Sequence, residues 1–141
     1  MDIGLLGAPA ALTFAAMGSG LGSGIAGMAA IGAWKKCYAQ NRLAPFLLIA
    51  FVGAPLSQTI YGMILMNTII GSGKDPLFRL GAGILGGIAI GVSAWYQGKA
   101  GASGSDALAE TGKGFANYIM VLGVIETVAL FILVFLLIVL G

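Results

Sequence analysis

Four long stretches of this 141-residue chain are almost free of charge. They run from about Ile3 to Trp34, from Pro45 to Ile70, from about Phe78 through the region of Ala102, and from Phe115 to Leu140. A helix needs roughly 20 apolar residues to cross a hydrocarbon core of about 30 Å, and each stretch supplies them. Backbone facing lipid must satisfy its own N–H and C=O groups, so all four are expected to be α-helical. Charged residues make up 9% of the chain, against about 25% in a soluble domain. Four spans and their connections use up these 141 residues, which excludes a cytosolic enzyme, a disordered chain and a secreted disulfide scaffold. With no His and a single Cys, the common zinc ligand sets and thiol redox pairs cannot be built within one chain. A net charge of +2, scattered along the sequence, makes no nucleic-acid patch. The fold expected is that of an all-α integral membrane protein.

Lys and Arg set the expected orientation. Lys35, Lys36 and Arg42 lie in the first connection, and Lys99 and Lys113 flank the third. Only Lys74 and Arg79 fall on the opposite side, so the first and third connections are placed in the cytoplasm and both termini outside. The opening Met1-Asp2-Ile3 lacks a basic n-region, so the first stretch reads as a retained helix rather than a signal peptide.

The chain reads as a duplicated helical hairpin, residues 1–72 and 73–141. Span one holds Gly18, Gly20, Gly22, Gly24, Gly27 and Gly32, and span three holds Gly81, Gly83, Gly86, Gly87, Gly91 and Gly98. Spans two and four are bulky instead, with Phe46, Leu47 and Phe51 or Phe131, Phe135 and Leu136. Glycines four apart let helix backbones approach closely in lipid, and Gly18–Gly22, Gly20–Gly24 and Gly83–Gly87–Gly91 fit that spacing. A slim inner layer wrapped by a bulky outer one suits a ring of many copies. Trp34, Tyr38, Trp95 and Tyr96 read as interface or packing aromatics, and Cys37 as an ordinary thiol at a helix end. Gly71-Ser72-Gly73-Lys74 is too short for a phosphate loop and reads as a turn.

Glu126 is the one acidic residue in the interior of a span. A charge at the centre of a membrane helix costs roughly 2.5–3.5 kcal/mol on insertion scales, so such a residue is a functional candidate by default. The midpoint between Gln97 and Glu126 falls at Thr111-Gly112, inside the polar stretch Asp106–Gly114 expected to form the turn. The two side chains should therefore lie level on adjacent helices, and the helices should project past the bilayer, with Lys99 snorkelling to water. In the first half, Gln58 follows Pro55 by three residues as Glu126 follows Gly123, and each precedes a threonine, Thr59 or Thr127. Pro55 removes a helical N–H and frees a carbonyl one turn earlier. That oxygen, the Ser57 hydroxyl and the oxygens of Gln58 and Gln97 are expected to converge on Glu126. An oxygen cage with one negative charge suits a small hard cation, Na⁺; the same amides can also serve as hydrogen-bond donors around a carboxyl that binds H⁺.

At these residues the chain resembles the proteolipid rotor component (K or c type) of V-type and A-type rotary ATPases, most closely the bacterial sodium-pumping members. The resemblance covers nearly the whole chain, and the family's pattern of proline, hydroxyl residue, glutamine, glutamine and glutamate falls on Pro55, Ser57, Gln58, Gln97 and Glu126. Ser57 stands in place of the family's threonine and Leu56 in place of a glycine. The resemblance implies a main-chain ligand at Ala54 and a tyrosine, Tyr61, bonded to the glutamate. It also implies a homo-oligomeric ring held by a central stalk at the cytoplasmic turns, turning past a membrane stator whose arginine unloads the ion. Such a chain is not an enzyme by itself, takes Na⁺ or H⁺ as transported ion without an organic cofactor, and sits in a bacterial or archaeal plasma membrane. A small proton-coupled multidrug antiporter is the other reading of four helices with one membrane glutamate.

Overall fold

The computed structural model describes residues 2–141; Met1 lies outside the described residues. A short 3-10 turn, Ile3–Leu6, leads into helix α1, Gly7–Ala39. The second span is broken in two: α2 covers Leu48–Gly53 and α3 covers Ser57–Gly71, with a 3-10 turn at Ala54–Leu56 between them. Helices α4, Pro76–Thr111, and α5, Phe115–Leu140, complete the chain. All four spans are long and apolar enough to cross a membrane.

Local chemistry explains the boundaries. Pro55 has no N–H to give and its ring displaces the carbonyl four residues back, so the second span is not continuous. Asp75 caps α4, its carboxylate accepting from the N–H groups of Leu77 (2.9 Å) and Phe78 (3.2 Å), and Pro76 takes the first helical position, where no N–H is missed. At the other end of α4 the chain reverses over Gly112 and Gly114, both with positive φ (66° and 91°), a conformation that glycine adopts without strain.

The described helices differ from the sequence reading at three places. The second span becomes helical at Leu48 rather than Pro45; there Trp34 instead ties the connection down, its indole N–H donating to the Pro45 carbonyl at 2.7 Å. Helix α1 continues past Trp34 to Ala39. Helix α4 continues past Ala102 to Thr111, so the expected turn Asp106–Gly114 shrinks to Gly112–Gly114. The residues Gly101–Thr111 are small or polar, yet they stay helical because Gly101, Gly104, Ser105, Leu108 and Ala109 are buried against neighbouring helices.

The two glycine-rich helices form the closest pair, and they run parallel. A β-carbon added at Gly18 would collide with the carbonyl of Gly91, and one at Gly98 would collide with that of Gly22. Gly83 meets Gly7 in the same way. Gly20, Gly24, Gly32 and Gly81 meet nothing within 4 Å, so only one of the two glycine series on α1 serves this packing. Helix α3 packs antiparallel on α1, and α5 on α4. Large apolar side chains point outward from α5, among them Val124, Val128, Phe131 and Ile138, as a lipid-facing helix requires.

Two apolar clusters fill the interior. One joins Ala11, Ala15, Leu65, Ile69, Ile90 and Leu133; the other joins Ala30, Cys37, Leu48, Phe51, Leu108 and Leu122. At the end where α1 and α4 begin, Arg79 is nearly buried and pairs with Asp2, which ties the start of the chain to the second half. That hydrogen bond from Arg79 is the main reason the Asp2 carboxyl sits below the usual carboxylate range. A group whose folded pKa is depressed stabilises the fold fully above its unfolded pKa and loses that contribution as pH falls through the folded one.

Two outcomes follow from this packing. Gly98→Ala drives a methyl into backbone and should cost about 3 kcal/mol, whereas Gly53→Ala, in open space, should stay within about 0.5 kcal/mol of wild type in denaturant titration of the extracted protein. Asp2→Asn should lower the thermal midpoint at neutral pH, and the gap from wild type should narrow as pH falls below the ordinary carboxylate range. A gap of constant size across pH would mean that the charge on Asp2 contributes nothing.

Candidate functional site

Between the two apolar clusters lies a polar layer built from the broken second span, α4 and α5. Glu126 occupies the middle of α5, half-buried, with Gln58 and Gln97 fully buried beside it. The turn at Gly112–Gly114 sets the register of α4 on α5: Nε2 of Gln97 donates to Oε2 of Glu126 at 3.2 Å. The same nitrogen donates to the Leu122 carbonyl at 3.0 Å, which uses both of its hydrogens. Oε1 of Gln97 accepts from Nε2 of Gln58 at 2.9 Å. Gln58 therefore reaches the carboxylate through Gln97 and does not hydrogen-bond it.

The other carboxylate oxygen, Oε1, accepts two hydroxyls: Ser57 at 2.5 Å and Tyr61 at 2.6 Å. Both come from the start of α3, which begins where the 3-10 turn ends. Ser57 Oγ also lies 3.1 Å from the Ala54 carbonyl and 3.1 Å from Oε1 of Gln58. Three oxygens therefore compete for one hydroxyl proton. That crowding of acceptors around a single donor is what a bound cation, or a proton on the carboxyl, relieves.

The helix break delivers these oxygens by a different route from the one expected. The carbonyl four residues before Pro55 belongs to Phe51, and it faces α4, 3.0 Å from where a β-carbon on Gly101 would sit. The carbonyl that reaches the site is that of Ala54, because the 3-10 turn brings it under the Ser57 hydroxyl. Thr127 does not join: its hydroxyl turns back along α5 to the Val124 carbonyl at 2.6 Å. Thr59 has no hydrogen bond to the carboxylate either. Ser93 was missed in the sequence and belongs to the same layer, donating to the Ile125 carbonyl at 2.9 Å and pinning α5 beside Glu126. The signal was its place one turn before Gln97 on a helix otherwise made of small and apolar residues.

Comparison with known proteins agrees with this architecture. Residues 80–139 match the family model of the ATP synthase C subunit. The chain is also 33% identical over 131 residues, 92% of its length, to the A-type ATP synthase subunit K of Methanocaldococcus jannaschii. Both similarities support a proteolipid of the A- and V-type rotary ATPases. The chain spans 57% of the length of that relative.

The surroundings of the polar layer close it off on the side of the turn. Phe51 packs against Phe115 (ring centroids 5.5 Å apart) and Tyr118 (6.4 Å), an aromatic wall between Glu126 and the Gly112–Gly114 turn. Lys99, two residues past Gln97, folds back over Trp95, its Nζ 4.2 Å from the ring centroid, and lies 5.0 Å from that of Tyr96. A groove of about 570 Å³ along α4 is lined by Leu77, Phe78, Leu85, Gly86 and Leu136, and Glu126 is not part of its lining.

Gln97 is the hub, because three of its polar contacts cross between helices. Gln97→Leu should leave the buried Gln58 amide without its acceptor, remove one donor from Glu126, and cost about 1–3 kcal/mol. SDS titration of the extracted protein, followed by loss of helical signal, measures that cost. A variant as stable as wild type would show that the buried amides have other partners.

Proposed function

We propose that this proteolipid is the membrane rotor component of an A/V-type ATPase, and that it carries Na⁺ on Glu126. The observation that supports sodium is the oxygen cluster of Ser57 Oγ, Ala54 O, Gln58 Oε1 and Glu126 Oε1, which holds more acceptors than protons to share among them. Na⁺ placed among them takes the oxygens of Ser57, Gln58 and Glu126, with the Ala54 carbonyl, as ligands and neutralises the carboxylate; the Gln97 oxygen, which accepts from Gln58, joins them when its amide turns over. Tyr61 holds the loaded carboxylate in place through its hydroxyl. Hard cations of low charge bind such all-oxygen sets, and membrane carriers place them at breaks in helices, as here at Pro55.

The mechanics follow from the charge. Neutral Glu126 tolerates lipid, and ionised Glu126 does not, so the ring turns only with each site filled. A stator arginine displaces the ion, and the site reloads once the carboxylate has passed it. ATP hydrolysis elsewhere in the complex drives the ring, or the ion gradient drives it in reverse; this proteolipid catalyses neither reaction. The closed parallel contact of α1 with α4 gives one slim layer suited to the inside of a homo-oligomeric ring. The excess of Lys and Arg on the first and third connections puts these in the cytoplasm, against the central stalk, and both termini outside. The similarity to an archaeal A-type ATP synthase proteolipid supports this reading over the drug antiporter.

Labelling of Glu126 by dicyclohexylcarbodiimide, which attacks protonated carboxyls, tests the ion. Sodium at constant pH should slow the labelling; labelling that follows pH and ignores sodium would make the coupling ion H⁺. Glu126→Gln should leave the ring assembled, as an SDS-sensitive high-mass band, and reduce ATP-driven ion uptake to background. Normal uptake by that variant would remove Glu126 from the transport path.

A further inference from the structure

A second polar layer lies behind the first, on α1. The hydroxyl of Ser19 is buried, at 2% exposure for the residue, and has no hydrogen-bond partner among the described residues. In a membrane interior such a group has no water to turn to, so an orphan hydroxyl there calls for an explanation. The packing of α1 on the second span tells what lies level with it. Gly62 abuts Ala15, since a β-carbon added to it would lie 2.6 Å from that of Ala15. Gly22 abuts Pro55, with the corresponding distance 2.9 Å. The helices are antiparallel, so four residues on from Ala15 and four back from Gly62 meet at the same depth. Three back from Gly22 and three on from Pro55 give the same pair, which is Ser19 and Gln58.

Gln58 is itself fully buried, and its amide nitrogen gives one hydrogen to Gln97, leaving a second N–H with no acceptor among the described residues. An unpaired hydroxyl and an unused amide N–H therefore lie level on adjacent helices. The duplicated hairpin makes the same point. Gln97 is the residue level with Glu126 in the second half, and Gln58 holds the place of Glu126 in the first. Ser19 thus stands in the first half where Gln97 stands in the second.

We infer that Ser19 is a positioning residue of the ion site, accepting the free N–H of Gln58 and so fixing the amide that orients Gln97 toward Glu126. This rests on the reading of Glu126 as the ion carrier. By rotation about χ1 the hydroxyl turns to Gln58, and the amide can then no longer flip its oxygen away from Ser57. Ser19 touches neither the ion nor the carboxylate; its effect is on the affinity that Gln58 confers.

The test is a double-mutant cycle in the intact ATPase in native membranes, using S19A, Q58A and the combination. Its readout is the Na⁺ concentration that halves carbodiimide labelling of Glu126. S19A should raise that concentration about three- to tenfold, the worth of one hydrogen bond, and S19T, which keeps the hydroxyl, should restore it. In the Q58A background S19A should add nothing further. A wild-type midpoint in S19A, an equal loss in S19T, or an undiminished effect without Gln58 each overturns the inference. If sodium fails to protect even the wild type, the sodium reading falls on its own. The cycle is then read from the pH profile of labelling, which S19A must move only while Gln58 is present.

Discussion

A carboxylate in the middle of a lipid-facing helix has to be satisfied by the protein, because hydrocarbon offers it nothing. The structure is organised around that need. Glu126 accepts from Ser57, Tyr61 and Gln97, which come from two different helices. Gln97 in turn is held by Gln58 and by the Leu122 carbonyl, so the polar layer is one connected network across α3, α4 and α5. The break at Ala54–Leu56 serves the same end, since the 3-10 turn brings the Ala54 carbonyl beside the Ser57 hydroxyl that bonds Glu126.

The glycine contact of α1 with α4 makes this layer possible. Backbones that touch at Gly18–Gly91 and Gly22–Gly98 leave no volume for side chains between them. The groups that touch Glu126 are therefore carried on the opposite face of α4 and on the broken second span. There Gln97 and Ser93 look toward α5 from positions one turn apart. The apolar clusters above and below isolate the layer, which strengthens each hydrogen bond in it and raises the cost of any left unmade.

Much of this was legible in the sequence for simple reasons. Spans follow from hydropathy, since backbone in lipid has few options. The level pairing of Gln97 with Glu126 follows from counting to a tight turn, because both helices rise by about the same 1.5 Å per residue. What counting cannot give is azimuth. Thr127 neighbours Glu126 in sequence but bonds its own helix, about 100° around the axis from its neighbour. Gly20 and Gly24 have the spacing of a packing motif yet lie on the wrong face of α1 for α4.

The sequence by itself determined four membrane helices, a two-hairpin plan, a single buried acid and the glutamine level with it. These depend on composition, periodicity and distance along the chain, which are local properties. Only the tertiary structure decided which oxygens face one another, that Gln58 hydrogen-bonds Gln97 and Ser57 rather than Glu126, and that the Phe51 carbonyl turns to α4. Those outcomes depend on how each helix is rotated about its axis, and that rotation is set by packing between residues distant in the chain.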